Sequence, residues 1–363
     1  LKLNLCNMIK NDSFKPKTVL IGLSGGVDSA VAAKLLMMAD FNVYGVYLRL
    51  WHENKTITQK REKLAKQTAQ KIGLSNLIIV DAENIFKKYV IEYFINELKS
   101  GRTPNPCVQC NHYIKFKIFY DLAKNLDIDY IATGHYAKII KKNNPKEIYK
   151  IIKAKDKNKD QTYFLWSLNQ KLLKKIIFPL GDFTKEEVKK MAEIWHLNFE
   201  KIKESEDICF TNNLEKFIKK NIPLKNGLII DATSNKVLRQ HQGLPLYTLG
   251  QRKNICFSNK EPYYVIKKDS KKNILIVAPR SQKNLFTEKI VWLTKVNFVG
   301  IKPKTPFPCQ VKLRYRSELI PATLCFKKSY YLLLKKNYFI PTPGQSAVFY
   351  KNNELIGGGV IKK

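Results

Sequence analysis

The chain has 363 residues, 44% of them hydrophobic and 26% charged, with 65 Lys and Arg against 30 Asp and Glu for a net charge of +35. This is the composition of a globular chain of two or three domains. No apolar run reaches the ~18 residues a membrane span needs, so a membrane partner is not expected. The cationic excess favours polyanions, nucleic acid first among them, although Lys, Ile and Asn enriched this evenly would also follow from a biased nucleotide composition. Leu1–Lys17 lacks a signal core, and seven scattered cysteines do not form a disulfide scaffold. A reducing cytoplasm is therefore expected, with a mitochondrial matrix as the alternative.

From Thr18 the pattern alternates between strand and helix. The spacing predicts strands at Thr18–Leu23, Asn42–Leu50, Asn76–Val80 and Asp129–Ala132, and helices at Ser29–Ala39, Lys60–Gly73, Ile85–Leu98 and Lys115–Leu126. Such alternation predicts a parallel sheet covered on both faces. Thr184 and Glu187 form a capping box opening a helix over Lys185–Ile194. Leu214–Lys220 reads as a helix, followed by Gly- and Pro-rich short strands to Arg280. From Gln282 onward only strand-like runs remain: Gln310–Tyr315, Ala322–Phe326, Tyr330–Leu334, Ser346–Tyr350 and Gly359–Ile361. Short strands at that spacing predict a small antiparallel barrel. Three domains are expected: residues 1–206 (α/β), 207–281 (a linking α+β piece) and 282–363 (β-barrel).

Three segments carry chemistry. Gly22, Leu23, Ser24, Gly25, Gly26, Val27, Asp28 and Ser29 lie between a strand and a helix. Paired glycines let a ligand approach the backbone, and the helix aims its opening amides and positive dipole end at the same spot. Asp28 would hold Mg2+ bridging phosphate oxygens. The Walker pattern is absent, which excludes an ordinary P-loop kinase or GTPase. In the second segment, Gly101–Asn111, the prolines and glycine fix a loop that presents Cys110 at a helix start, where a thiol's pKa falls. Half a zinc site at Cys107 and Cys110 is the alternative there. The third, Lys203–Phe210, carries Cys209, which reads either as a core cysteine or as a partner for Cys110; Cys256, Cys309 and Cys325 read as core residues.

Ser24–Ser29 resembles the PP-loop of the ATP pyrophosphatase superfamily, whose members split ATP between its α and β phosphates and adenylate an oxygen. Together with Gly101–Asn111, Lys203–Phe210, Ala132–Ala137, Asn158–Leu165, His241–Gly243, Tyr247–Lys253, Arg314–Arg316 and Pro343–Tyr350, it makes the chain resemble the tRNA-specific 2-thiouridylase family along almost its whole length. The resemblance implies an α/β PP-loop domain, similar to adenine nucleotide alpha hydrolases, followed by a small α+β domain and a C-terminal antiparallel β-barrel that contacts tRNA. It implies that Gly22–Ser29 bind ATP phosphates and that Leu48 and Gly134 line the adenosine pocket. Cys110 would be the nucleophile and Cys209 the persulfide carrier. Asn105, Pro106 and Cys107 would meet the target base, while His135, Lys159, Asp160, Gln161, Arg314, Tyr315 and Gln345 would lie near tRNA. Family members often carry Met where this chain has Leu48, and Asp where it has Cys107, a weaker hydrogen-bonding partner for uracil.

The activity so implied is ATP-dependent thiolation of the wobble uridine of tRNAs of the Lys, Glu and Gln type. The uracil 2-carbonyl oxygen is adenylated, and sulfur then arrives from a persulfide. Either the persulfide sulfur attacks directly, or Cys110 first releases sulfide; both routes can leave a Cys110–Cys209 disulfide. The partners implied are ATP, Mg2+, a tRNA anticodon stem-loop and a sulfur-carrier protein, with the chain a monomer when free. Two rival readings are a PP-loop ligase adenylating a small metabolite and a non-catalytic RNA-binding relic. The first needs no positive surface or paired cysteines, and the second would be expected to lose Asp28, Cys110 or Cys209.

Overall fold

The computed structural model describes residues 16–143, 145–197, 208–252, 255 and 261–362. Thr18–Gly22 (β1), a charge-free TVLIG run, forms the middle of a parallel sheet. Val27–Met38 (α1) follows, then Asn42–Arg49 (β2), Lys55–Ile72 (α2) and Leu77–Asp81 (β3). α1 is apolar almost all round and has seven buried residues, as a helix packed between sheet and neighbours must. α2 begins five residues earlier than Lys60, because the Asn54 side chain accepts from the Thr56 amide and caps it; Gly73, at φ 77°, ends it.

Glu83–Phe86 (α3) and Glu92–Lys99 (α4) flank a π turn at Lys87–Ile91. Pro106–Gln109 (α5) and Phe116–Asn125 (α6) flank a second π turn at Cys110–Lys115. The helix expected from Lys115 therefore starts nine residues sooner, since Pro106 at the first helical position pre-sets its φ. Tyr130–Ala132 (β4) returns to the sheet. An unforeseen hairpin, Ala137–Lys142 (β5) and Ile148–Lys153 (β6), then leaves it. Gln170–Leu173 (α7), Ile176–Ile177 (β7) and Lys185–Ile194 (α8) complete this part. The sheet order is β3-β2-β1-β4-β7. The chain thus runs outward on opposite sides of β1, which opens a crevice at the carboxyl end of β1 and β4.

Leu214–Asn221 (α9) leads into a small sheet of Gly227–Asp231 (β8), Val237–His241 (β9), Tyr263–Asp269 (β10) and Ile274–Pro279 (β11), ordered β10-β11-β8-β9. The remaining strands are Thr287–Phe298 (β12), Phe307–Lys312 (β13), Ile320–Phe326 (β14), Tyr330–Phe339 (β15), Ser346–Lys351 (β16) and Glu354–Ile361 (β17). They close into a barrel in the order β12-β15-β14-β13-β16-β17, with β17 pairing back onto β12. Closure removes the exposed edges an open sheet would have. The hairpin extends this same sheet: Ile151 pairs with Leu355 and Ile152 with Glu354, and Lys150 meets Glu354 at 2.7 Å. A ribbon from the first α/β unit is thereby built into the barrel's sheet. No helix among the described residues is long and apolar enough to cross a membrane.

Candidate active site

The glycine turn joins β1 to α1 at the crevice. Gly25 has φ 82°, and a Cβ there would sit 2.8 Å from the Leu64 side chain, so both its conformation and its space require glycine. The Ser29 hydroxyl accepts from the Ser24 amide at 3.2 Å and donates to Gly26 O at 2.9 Å, which fixes the turn before any ligand arrives. Gly26 is the N-cap of α1, and no side chain caps it, so the opening amides point into the crevice. Gly134 lies against the turn itself: a Cβ would stand 3.0 Å from the Asp28 carbonyl carbon and the Ser29 amide nitrogen. Its lack of a side chain sets how closely the β4 loop approaches the helix start. Leu48, near the end of β2, is half-buried between two apolar clusters.

Asp28 is not poised as a metal ligand. Lys185 Nζ donates to its Oδ1 at 2.7 Å and its Oδ2 at 2.8 Å, and the Tyr136 hydroxyl donates to Oδ1 at 2.8 Å. Among the described residues no three His, Cys, Asp or Glu side chains gather to hold a metal ion. The expected Mg2+ ligand is thus a carboxylate already ion-paired to Lys185, which does not fit a direct bond to Mg2+.

Cys110 lies inside the helix rather than at its start. Asn105 is the N-cap, Cys107 occupies the first turn, and Cys110 opens the π turn with 6% exposure. Its thiol is consequently not lowered as the sequence suggests: burial pushes it up to about 12. Burial raises the Cys209 thiol as well. Both sulfurs belong to one apolar cluster with Phe210 and Phe217, and each of Cys209 and Cys107 acts electrostatically on Cys110. Arg61 donates to Cys209 O at 2.9 Å and pins that loop to α2. Residues 203–207 of this segment, and Cys256, lie outside the described residues.

Lys115 opposes burial at both thiols, joined at Cys209 by Arg61. A π turn closes its hydrogen bond across five residues, which returns position 115 to the side of the helix that carries position 110. In the resting protein, alkylation of Cys110 at pH 7.5 is expected to run at least about tenfold slower than at a free thiol, because the sulfur is buried and burial raises its pKa. Mass spectrometry of the alkylated peptide across pH 7–10 tests this. Labelling at the free-thiol rate at pH 7.5 would contradict it.

Several residues expected near tRNA turn inward. His135 is 9% exposed, bonds Thr133 Oγ1 through Nδ1 at 2.7 Å and packs against Phe116 and Phe178; burial holds its pKa well below the ordinary imidazole value. Asp160, at 4% exposure, accepts from the Ala154 amide and the Thr162 hydroxyl. Both side chains are held inside the fold by these bonds. Gln161 accepts from the Tyr136 amide. Arg314 donates to Leu249 O and to the Thr342 hydroxyl, tying the small sheet's loop to the barrel. Gln345 donates to Thr103 O at 3.2 Å and Pro104 O at 3.0 Å, while Asn105 donates to the Ser346 hydroxyl at 3.4 Å. The 343–346 turn of the barrel therefore clasps the loop that carries Pro106, Cys107 and Cys110. Tyr315, half-buried on Tyr163 and Phe164, lies within electrostatic reach of Cys107. Lys159 is half-buried on the neighbouring 156–159 turn, where its amide donates to Asp156.

Sequence reasoning missed Lys185, Tyr136, Lys115 and Arg61 as site residues. The only signal for Lys185 was its place directly after the cap Thr184. Nothing in the local sequence points from there to Asp28.

Residues 17–213 match the family described as tRNA methyl transferase HUP domain, residues 215–279 the tRNA methyl transferase PRC-barrel domain and residues 287–361 the Aminomethyltransferase beta-barrel domain. The chain is similar to tRNA-specific 2-thiouridylase MnmA 1 of Geobacillus kaustophilus, with 40% identity covering 96% of both chains. It is also similar to tRNA-specific 2-thiouridylase MnmA of Mycoplasma mycoides subsp. mycoides, at 42% over 95% of this chain and 98% of that one. The protein of the same name from Clostridium perfringens is 35% identical over 95% and 98%.

Proposed function

We infer the reaction from a premise that these relatives establish: the chain belongs to the tRNA-specific 2-thiouridylase family. It is a tRNA-uridine 2-sulfurtransferase that uses ATP. The chemistry is adenylation of the wobble uracil 2-carbonyl oxygen in tRNAs of the Lys, Glu and Gln type, followed by sulfur transfer. That oxygen leaves poorly because the carbonyl is amide-like; bonded to AMP it departs easily. The amides opening α1 face the phosphates and stabilise charge that develops on pyrophosphate.

The observation that supports this reading is the gathering of Cys110 and Cys209, 99 positions apart in the chain, in one apolar cluster. Cys209 carries the persulfide, handed over by a sulfur-carrier protein. Its terminal sulfur reaches uracil C2 directly, or leaves as sulfide when Cys110 attacks Cys209. In both routes the sulfur gains two electrons as Cys110 and Cys209 form a disulfide, AMP leaves, and an external thiol reductant restores the pair. Asn105, Pro106 and Cys107 frame the flipped base; unstacking it from a single-stranded anticodon loop costs a few kcal/mol. Lys159, Gln161, Arg314, Tyr315 and Gln345 border the tRNA-facing side, and the net charge of +35 draws the phosphate backbone. The protein works as a monomer in a reducing cytoplasm, where resting thiols stay reduced.

ATP–pyrophosphate exchange tests the adenylation half. Exchange is expected with unmodified bulk tRNA and not without it. Exchange driven instead by a small carboxylate would transfer the chain to the metabolite ligases.

A further inference from the structure

A carboxylate inside a phosphate-binding turn repels a polyphosphate unless a cation neutralises it. Here that cation comes from 157 residues away: Lys185 Nζ lies 2.7 and 2.8 Å from the two Asp28 oxygens. Lys185 is 8% exposed, in contrast to a lysine solvated at a helix surface. Its backbone is fixed too. The Lys185 amide donates to Asp156 Oδ2 at 2.9 Å, and the Thr184–Glu187 capping box sets the start of α8 beneath it. Tyr136, two residues beyond Gly134, holds Asp28 from the other side at 2.8 Å. Three segments thus aim one ammonium at the glycine turn.

We propose that Lys185 is the protein's own cation for the β and γ phosphates of ATP, and that Asp28 is a positioning residue acting through Lys185 rather than a ligand of Mg2+. The inference rests on the ATP-dependent reading above and deepens it. Asp28 and Tyr136 hold the ammonium beside the opening amides of α1, so that the carboxylate is neutralised and an N–H donor is already in place where pyrophosphate departs. Preorganised charge of this kind needs no rearrangement during the reaction.

Isothermal titration calorimetry of the full chain with ATP and with AMP, each in EDTA and in Mg2+, tests it. Lys185→Met is expected to weaken ATP binding at least tenfold in both media while AMP binding changes less than twofold, which also shows that the site remains folded. Lys185→Arg is expected to stay within a few-fold of the parent protein. Asp28→Asn is expected to leave the half-saturating Mg2+ concentration within twofold, and to add no loss of ATP affinity when combined with Lys185→Met. Unchanged ATP affinity in Lys185→Met, or a tenfold rise in half-saturating Mg2+ in Asp28→Asn, would overturn the proposal. Failure of the parent protein to bind ATP would instead overturn the ATP-dependent reading itself.

Discussion

Cys209→Ser is expected to lower 2-thiouridine formation at least about a thousandfold, some 4 kcal/mol of barrier, while tRNA-dependent ATP–pyrophosphate exchange persists. A serine hydroxyl cannot carry a transferable sulfur, yet it occupies nearly the same volume in the Phe210 and Phe217 cluster, so the fold is left in place. Cys110→Ser is expected to fail as completely but differently. Persulfide still loads on Cys209, and what is lost is the second thiol needed to close the disulfide. Mass spectrometry of nucleosides from treated tRNA reads the product, and the mass of the 208–210 peptide reads the loaded sulfur. Thiolation surviving in Cys209→Ser would remove the carrier role. Persulfide absent from Cys110→Ser would place loading on the wrong thiol.

Gly344→Ala carries the second large effect. Gly344 has φ 90°, a region where L side chains cost about 1–2 kcal/mol. A Cβ there would also stand 2.7 Å from Thr103 O, a backbone atom that cannot swing away. The 343–346 turn and the 102–105 loop must therefore part, which loosens the Gln345 bonds to Thr103 and Pro104 and the Thr103 amide bond to Pro343 O at 2.8 Å. The expected result is a melting temperature lower by about 2–6 °C and thiolation slower by about ten- to a hundredfold, since a shift near 1 Å in a reacting group costs that much. ATP binding is expected to hold, because the glycine turn belongs to another segment. Parent-level thiolation with an unshifted melt would show that the clasp is dispensable.

The strand–helix alternation from Thr18 and the glycine turn were legible because each is local: strand period and paired glycines act within a few residues. The barrel was legible only in part. β12 escaped notice because the exposed Ile290 and Trp292 join the buried Val291 and Leu293 in one unbroken apolar run, which hides the alternation that marks a strand. The π turn at Cys110–Lys115 was unreadable, since one extra residue per turn leaves no composition signal, and that turn is what places Cys110 in the interior beside Lys115. Lys185 was visible as the residue after a cap. Its bond to Asp28 is tertiary, and no spacing within either segment encodes it.

The hairpin at 137–153 gives the molecule a mechanical property. It departs three residues after Gly134, whose backbone abuts the start of α1, and its far strand is stitched to β17. Barrel and nucleotide turn are therefore joined in series by a stiff two-stranded lever rather than by a slack tether. The path between them is short and hydrogen-bonded along its length, from β17 through β6 and β5 to the backbone of Gly134.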